Sequence, residues 1–341
     1  MKRPLALVAG MSLLALAACD SAPPESSSSG GSAAASSPAA GGSLPESSVQ
    51  PAGCEPTDGP LQIGLVTINL QALFFNQINQ AAQAMADEQG VELQIISGND
   101  DSVTQANAID TLVANGVDAV IVDAIDTEGI KPSVQAADAA GIPVVAVDAI
   151  VDEPTIDAQV GTANAEGGAQ LGEALLEQSG GEGEVGIVGA LNSTIQLERQ
   201  QGFQYAVTAG GMTVGTIVDG KNVQETAQSA AENLLTGNPD LPYVYATGEP
   251  ALIGVAAAVR SQGAQDRIKV VGWDLSEPAV EGLRDGWITG VVQQQTFEFG
   301  YHAMASAIDL ACGNPVEKDQ PVPTEIVTPD NVDDYTFYLE G

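Results

Sequence analysis

The body of the chain reads as short apolar runs separated by longer stretches in which apolar residues return every three or four positions. Leu61 to Thr67, Val91 to Ser97, Ala119 to Asp123 and Pro143 to Val147 are nearly continuous in apolar character, as strands buried on both faces of a parallel sheet are. Between them Phe74 to Gln89, Ser102 to Asn115 and Thr127 to Ala140 carry helical spacing and are rich in Ala and Gln. The alternation restarts after Asp157 to Gly161. Strands are predicted at Glu184 to Val188, Met212 to Val218, Tyr243 to Ala246, Lys269 to Trp273 and Ile288 to Val292. Helices are predicted at Glu166 to Gln178, Thr194 to Ala209, Val223 to Leu235, Pro250 to Gln262, Pro278 to Asp285 and Thr296 to Cys312. The pattern gives an α/β class with two similar doubly wound parallel sheets, right-handed crossovers and helices on both faces. In such sheets ligands bind beyond the carboxyl ends of the strands, so the residues just after each strand are the first candidates for function.

The first 53 residues depart from this rhythm. Lys2 and Arg3 precede an apolar stretch from Leu5 to Leu16 and then small residues. That is the layout of a secretory signal, and it is shorter than the roughly 20 apolar residues a membrane-spanning helix needs. Leu16-Ala17-Ala18-Cys19 resembles the lipobox of bacterial lipoproteins. The resemblance implies that residues 1–18 are removed and that Cys19 carries lipid, anchoring an extracytoplasmic protein to the cell membrane. Residues 19–53 are runs of Ser, Gly, Ala and Pro, too poor in apolar surface to offset ordering entropy, and read as a disordered tether. A flexible chain of that length spans roughly 30 Å.

Charge narrows the partners. With 45 acidic and 10 basic residues the formal charge is −35, and loss of Lys2 and Arg3 takes it to about −37. Nucleic acid and anionic membrane surfaces repel such a field. Screening over about 10 Å at moderate salt keeps distant surface carboxylates from governing a pocket, so solubility in a saline or acidic habitat is the simpler source of the acidity. Cys54 and Cys312 are the remaining cysteines, and an exported chain meets an oxidising compartment, which favours their pairing into a disulfide over two free thiols. A metal site is the weakest reading, because the single histidine, His302, lies in a helical stretch and no CxxC spacing occurs. No metal or other cofactor is expected.

From about Leu61 to Pro329 the chain resembles the periplasmic binding proteins of the ribose and galactose type, the type 1 substrate-binding proteins of ATP-driven importers. The segments that carry the resemblance are Phe74-Phe75, Gly116 to Val122 leading into Asp123, Ala140 to Val145 leading into Asp148, Arg199 with Gly202-Phe203, Val270 to Asp274, and Val291 to Gln294. It implies two Rossmann-like lobes joined by a three-strand hinge, with crossings near Thr162, near Gln295 and near Pro323 to Glu325. Residues 54–162 plus 296–322 would form the first lobe, and 163–295 plus 323–341 the second. The return of the last helix would bring Cys312 to the lobe that holds Cys54.

The family closes its lobes on a small molecule, so the implied function is capture of a solute for an ABC permease with a cytoplasmic ATPase, by a monomer. Phe74 or Phe75 would wall the site, with the other in the core, and Trp273 occupies the place of a stacking aromatic. Asp123, Asp148, Asp274 and Glu249 would accept hydroxyl protons, and Gln294, Asn69 and Gln71 would donate and accept at once. Asp126 reads instead as a helix cap. The chain departs from ribose-type members at Ala149 and Leu197, where they carry arginines, at Gly248 in place of an asparagine, and at Ala72-Leu73, which lack a small polar residue. These departures point away from ribose and toward a neutral sugar, polyol or cyclitol, with an amino sugar or other cation second. A sensor for a membrane receptor is the rival role. Enzyme readings find no support, since no Gly-x-Ser-x-Gly, Walker or HExxH motif occurs.

Overall fold

The computed structural model describes residues 44–55 and 59–339. The signal expected at 1–18, the lipidation expected at Cys19 and the expected tether as far as residue 43 lie outside the described residues. The first lobe is a six-stranded parallel sheet of β1 (Gln62–Thr67), β2 (Glu92–Ser97), β3 (Ala119–Val122), β4 (Val144–Val147), β5 (Ala158–Thr162) and β11 (Asp319–Val322), ordered β11-β5-β4-β3-β1-β2. Helices α1 (Leu73–Gln89) and α9 (Thr296–Ala311) close one face, and α2 (Ser102–Asn115) and α3 (Lys131–Ala139) close the other. The second lobe repeats the plan with β6 (Glu184–Gly189), β7 (Thr213–Asp219), β8 (Tyr243–Ala246), β9 (Lys269–Trp273), β10 (Ile288–Gln294) and β12 (Thr324–Val327), ordered β12-β10-β9-β8-β6-β7. Only β12 runs antiparallel there. Its helices are α4 (Asn164–Ser179), α5 (Thr194–Ala209), α6 (Gln224–Gly237), α7 (Glu249–Ser261) and α8 (Glu277–Arg284).

The chain passes between the sheets after β5, after β10 and between β11 and β12. A final 3-10 helix, Val332–Leu339, touches both lobes: Val332 enters the core of the second and Tyr338 that of the first, where Gln77 Nε2 donates to the Tyr338 carbonyl at 2.8 Å. This differs from the expectation that all of 323–341 belongs to the second lobe. The difference arises because Phe337 and Tyr338 find their apolar surroundings beside Phe297 of α9.

Three further differences have local causes. The helix expected from Thr127 begins only at Lys131, because Asp126 caps a tight turn by accepting the Glu128 and Gly129 amides at 3.1 and 2.9 Å. β11 was not anticipated, since Gln320-Pro321 breaks its apolar character, which an edge strand tolerates. Residues 44–53, expected as part of the tether over 19–53, pack instead on the body: Leu44 and Val49 lie on the α1–α9 core, Tyr301 donates to the Pro45 carbonyl, and Ser47 donates to Glu298. Cys54 and Cys312 are joined in a disulfide, with their Cα atoms 5.6 Å apart.

Helices α4 and α5 meet backbone to backbone. A Cβ placed on Gly202 would fall within the radius of the Ala165 carbonyl oxygen, and one on Gly168 would do the same at Arg199. This approach brings Arg199 on α5 to Asn164, the first residue of α4, beside the crossing after β5.

Candidate functional site

The carboxyl ends of the strands carry the unusual backbone. Asp148 after β4 has φ 61° and Asp274 after β9 has φ 66°, each at the end of its lobe's fourth strand along the chain. Asn99 and Asp100 after β2, and Lys221 and Asn222 after β7, form a second matching pair of left-handed turns. Left-handed conformations in residues other than glycine cost energy and concentrate where side chains must be aimed. Both lobes therefore hold an aspartate by the same device at corresponding places.

Burial then sets the electrostatics. Asp123 is 1% exposed, and neither of its carboxylate oxygens has a hydrogen-bond partner in the described structure. The loop that carries it is clasped by buried Gln105, which donates to the Asp123 carbonyl at 2.6 Å and accepts the Ile125 amide at 2.9 Å. Loss of solvent drives the Asp123 pKa well above the usual carboxylate range, with the Asp148 charge adding to the shift. Asp148 itself is pushed up to about 6, chiefly by burial; Arg199 opposes the rise and Asp274 assists it. Burial also raises Asp274, against the lowering effects of Arg199 and of a hydrogen bond from Gln294. Glu249, at the exposed start of α7, is raised first by partial desolvation and then by Asp274.

A pH signature follows. An acid whose folded pKa lies above its unfolded value favours the folded state at low pH, and that advantage is lost as the pH rises. For Asp148 the loss develops between about pH 4 and pH 6 and amounts to on the order of 3 kcal/mol. Asp148→Asn is expected to remove it, so the urea-unfolding free energies of variant and wild type should diverge between about pH 4.5 and pH 7. Parallel curves would mean that Asp148 titrates as a solvated carboxylate.

Arg199 is the cation at the centre of this group. Its Nε donates to Asn164 Oδ1 at 2.8 Å, its Nη1 lies 3.5 Å from the Thr247 carbonyl and 3.7 Å from Asp274 Oδ2, and its guanidinium stacks 3.9 Å above the Trp273 ring. The structure thereby corrects the expectation for Trp273. The ring is fully buried, donates to Tyr245 OH at 2.9 Å, and lies beneath Arg199. Its apolar surface serves the second lobe's core, where Phe203 and Tyr245 stack at 4.0 Å.

The other candidates divide. Phe74 joins the first lobe's core and meets Phe299 edge-on, whereas Phe75 belongs to no core cluster and touches Phe74 alone among aromatic rings. Asn69 is occupied locally: its carbonyl oxygen accepts the Gln71 and Ala72 amides, and its Nδ2 donates to Asp100 at 2.8 Å. The Gln71 side chain is exposed beside it. Gln294 accepts from Thr162 Oγ1 at 2.5 Å and donates to Asp274 Oδ1 at 2.8 Å. Thr162 and Asn164 were not singled out from the sequence, where a Thr and an Asn beside a lobe crossing look like ordinary linker residues. Thr247, just after β8, was also missed; its carbonyl faces Arg199 and its hydroxyl donates to Gln196 at 2.6 Å.

Comparison with known proteins agrees with this arrangement. Residues 63–315 match the family described as periplasmic binding protein domain. The D-ribose/D-allose-binding protein of Pseudomonas aeruginosa is 28% identical over 84% of this chain and 93% of its own length. The ribose import binding protein RbsB of Bacillus subtilis is 27% identical over 78% of this chain and 87% of its own. An ABC transporter solute-binding protein from Bacillus halodurans, solved with bound myo-inositol, superposes with a TM-score of 0.71 at 25% identity, over 82% of this chain and 98% of that one. The two opposed α/β lobes, the carboxylates at their strand ends and the match over most of the chain lead to one conclusion: the chain belongs to the periplasmic binding protein family, whose members bind solutes outside the cytoplasm for ABC importers and are not enzymes.

Proposed function

We propose that this protein captures an uncharged polyhydroxylated solute, a sugar, polyol or cyclitol, between its lobes and delivers it to an ABC permease driven by a cytoplasmic ATPase. In this reading it acts as a monomer held to the cell membrane by lipid on Cys19. The observation that carries the ligand class is the buried Asp123 carboxyl without a partner, grouped electrostatically with Asp148 and, through it, Asp274. A buried polar group needs a partner, and ligand hydroxyls can donate to all three. Arg199 is engaged with Asn164, Thr247 and Asp274, which disfavours carboxylated or phosphorylated ligands. Phe75, with Phe74 behind it, supplies an apolar wall, while Gln294, Gln71 and Glu249 border the polar side. Asn69 shapes the loop that carries Gln71. Names of relatives that refer to ribose, allose and inositol support the class.

Function then proceeds by hinge closure. The ligand bridges both lobes and favours the closed state by its higher affinity for it, and the permease reads that state. A thermal-shift screen against neutral sugars, polyols, amino sugars and cationic solutes tests the class, since a ligand at 100 times its Kd adds about 2.7 kcal/mol. A response to cations alone would favour an amino sugar, which the excess of carboxylates would also suit. With a ligand in hand, Asp148→Ala is expected to weaken binding more than about tenfold in calorimetry while the protein stays folded. Unchanged affinity in the folded variant would remove Asp148 from the site.

A further inference from the structure

Five residues close a ring beside two of the crossings between the lobes. Thr162 Oγ1 donates to Gln294 Oε1 at 2.5 Å, and Gln294 Nε2 donates to Asp274 Oδ1 at 2.8 Å. Asp274 Oδ2 lies 3.7 Å from Arg199 Nη1, whose Nε donates to Asn164 Oδ1 at 2.8 Å. Asn164 Nδ2 then donates to the Thr162 carbonyl at 3.2 Å. Thr162 ends β5 of the first lobe, Asn164 opens α4 of the second, and Gln294 ends β10.

The residues beside the ring are the crossing residues. Ala163 has φ −71° and ψ 69°, and Gln295 has φ −86° and ψ 70°, both near the inverse γ-turn conformation. The two crossings share one backbone geometry, and the ring spans both.

We propose that this ring ties Asp274 to the hinge, with Thr162, Asn164 and Arg199 acting as positioning residues that aim the carboxylate according to the angle between the lobes. Rotation at Ala163 moves Thr162 relative to Gln294, and a hydrogen bond weakens steeply outside its narrow range of distance and angle. Loss of the Thr162 bond frees the Gln294 amide to turn, and Asp274 then loses its donor. The charged neighbours of Asp274 are Arg199 from α5, Asp148 from the first lobe and Glu249 from α7. None of them replaces an amide N–H aimed at Oδ1. The inference rests on Asp274 facing ligand, but its mechanical part stands apart from ligand identity.

The test uses Thr162→Val, which removes the hydroxyl at nearly constant shape, and Thr162→Ser, which restores it. The purified protein is labelled at the aspartate carboxyl carbons, and Asp274 is assigned by difference against Asp274→Asn. In the valine variant the titration midpoint of Asp274 is expected to move to higher pH, because the Gln294 donor stabilises the ionised form. In the serine variant it returns to the wild-type value. Binding of D-ribose, D-allose and myo-inositol is measured in parallel; any of these that binds should weaken about tenfold in the valine variant and recover in the serine variant. An unmoved Asp274 midpoint in Thr162→Val overturns the ring as a positioning device. A moved midpoint with none of the three solutes bound leaves the ring standing and counts against the sugar reading.

Discussion

Opening the Cys54–Cys312 bridge is expected to lower the stability of the folded body by roughly 5 kcal/mol. The two cysteines are 258 residues apart, so the bridge encloses both lobes and restricts most of the unfolded chain. In the chain-entropy view the stabilisation grows with the logarithm of loop length, which places this bridge near the upper end of the usual range. The measurement is the urea-unfolding free energy of the oxidised protein against a Cys54→Ser, Cys312→Ser double variant, which avoids reductant in the assay. A difference below about 1 kcal/mol would show that the unfolded chain gains little freedom when the bridge is absent. Limited proteolysis adds a local signature. Without the bridge, residues 44–53 are held by the packing of Leu44 and Val49 and by hydrogen bonds of Ser47, Gln50, the Pro45 carbonyl and the Gly53 backbone, and cleavage there should become faster.

The second large effect is expected from Gly202→Ala. The added methyl would collide with the Ala165 carbonyl oxygen, a backbone atom that cannot rotate away as a side chain does. Relief requires α4 and α5 to separate, and overpacking of this kind costs about 3 kcal/mol or occasionally more. The damage should be confined to the second lobe. Amide hydrogen exchange is therefore expected to accelerate across α4, α5 and β6, while the α1–α9 core of the first lobe keeps its protection. Arg199 would shift with α5, so ligand affinity should fall together with stability. A variant with wild-type melting and exchange would mean that the helix seam can open at little cost.

Much of this architecture was legible because the strands announce themselves. Val120-Ile121-Val122 and Val144-Val145-Ala146-Val147 are buried on both sides, and no polar alternation obscures them. The helix boundaries were harder to read where a side chain competes with the backbone, as Asp126 does ahead of α3. Edge strands β11 and β12 were hidden because four residues containing Gln, Pro or Glu bear no apolar run.

The site divided along similar lines. Asp148 and Asp274 stood out because aspartates that follow predicted strands stand where ligands bind in this class of sheet, and the structure gives both the same left-handed backbone. Trp273 misled for a physical reason: an aromatic face offers the same apolar surface to a sugar ring or to a guanidinium, and only the fold reveals that Arg199 lies on it. Thr162 and Asn164 carried no signal of their own. Their importance comes from the chain bending between them, which places two near neighbours in sequence on opposite lobes.

The arm that joins the body at Leu44 has a mechanical consequence. It is fastened to α1, to α9 and, through Cys54, to Cys312, which caps the end of α9, all of them in the first lobe. Any pull or anchorage applied ahead of residue 44 is thus delivered to that lobe alone. If the protein bends as proposed, this makes the first lobe the stator and the second the rotor. Under the proposed hinge closure, the segment 163–295 would then swing while the lobe that carries the arm keeps its bearing.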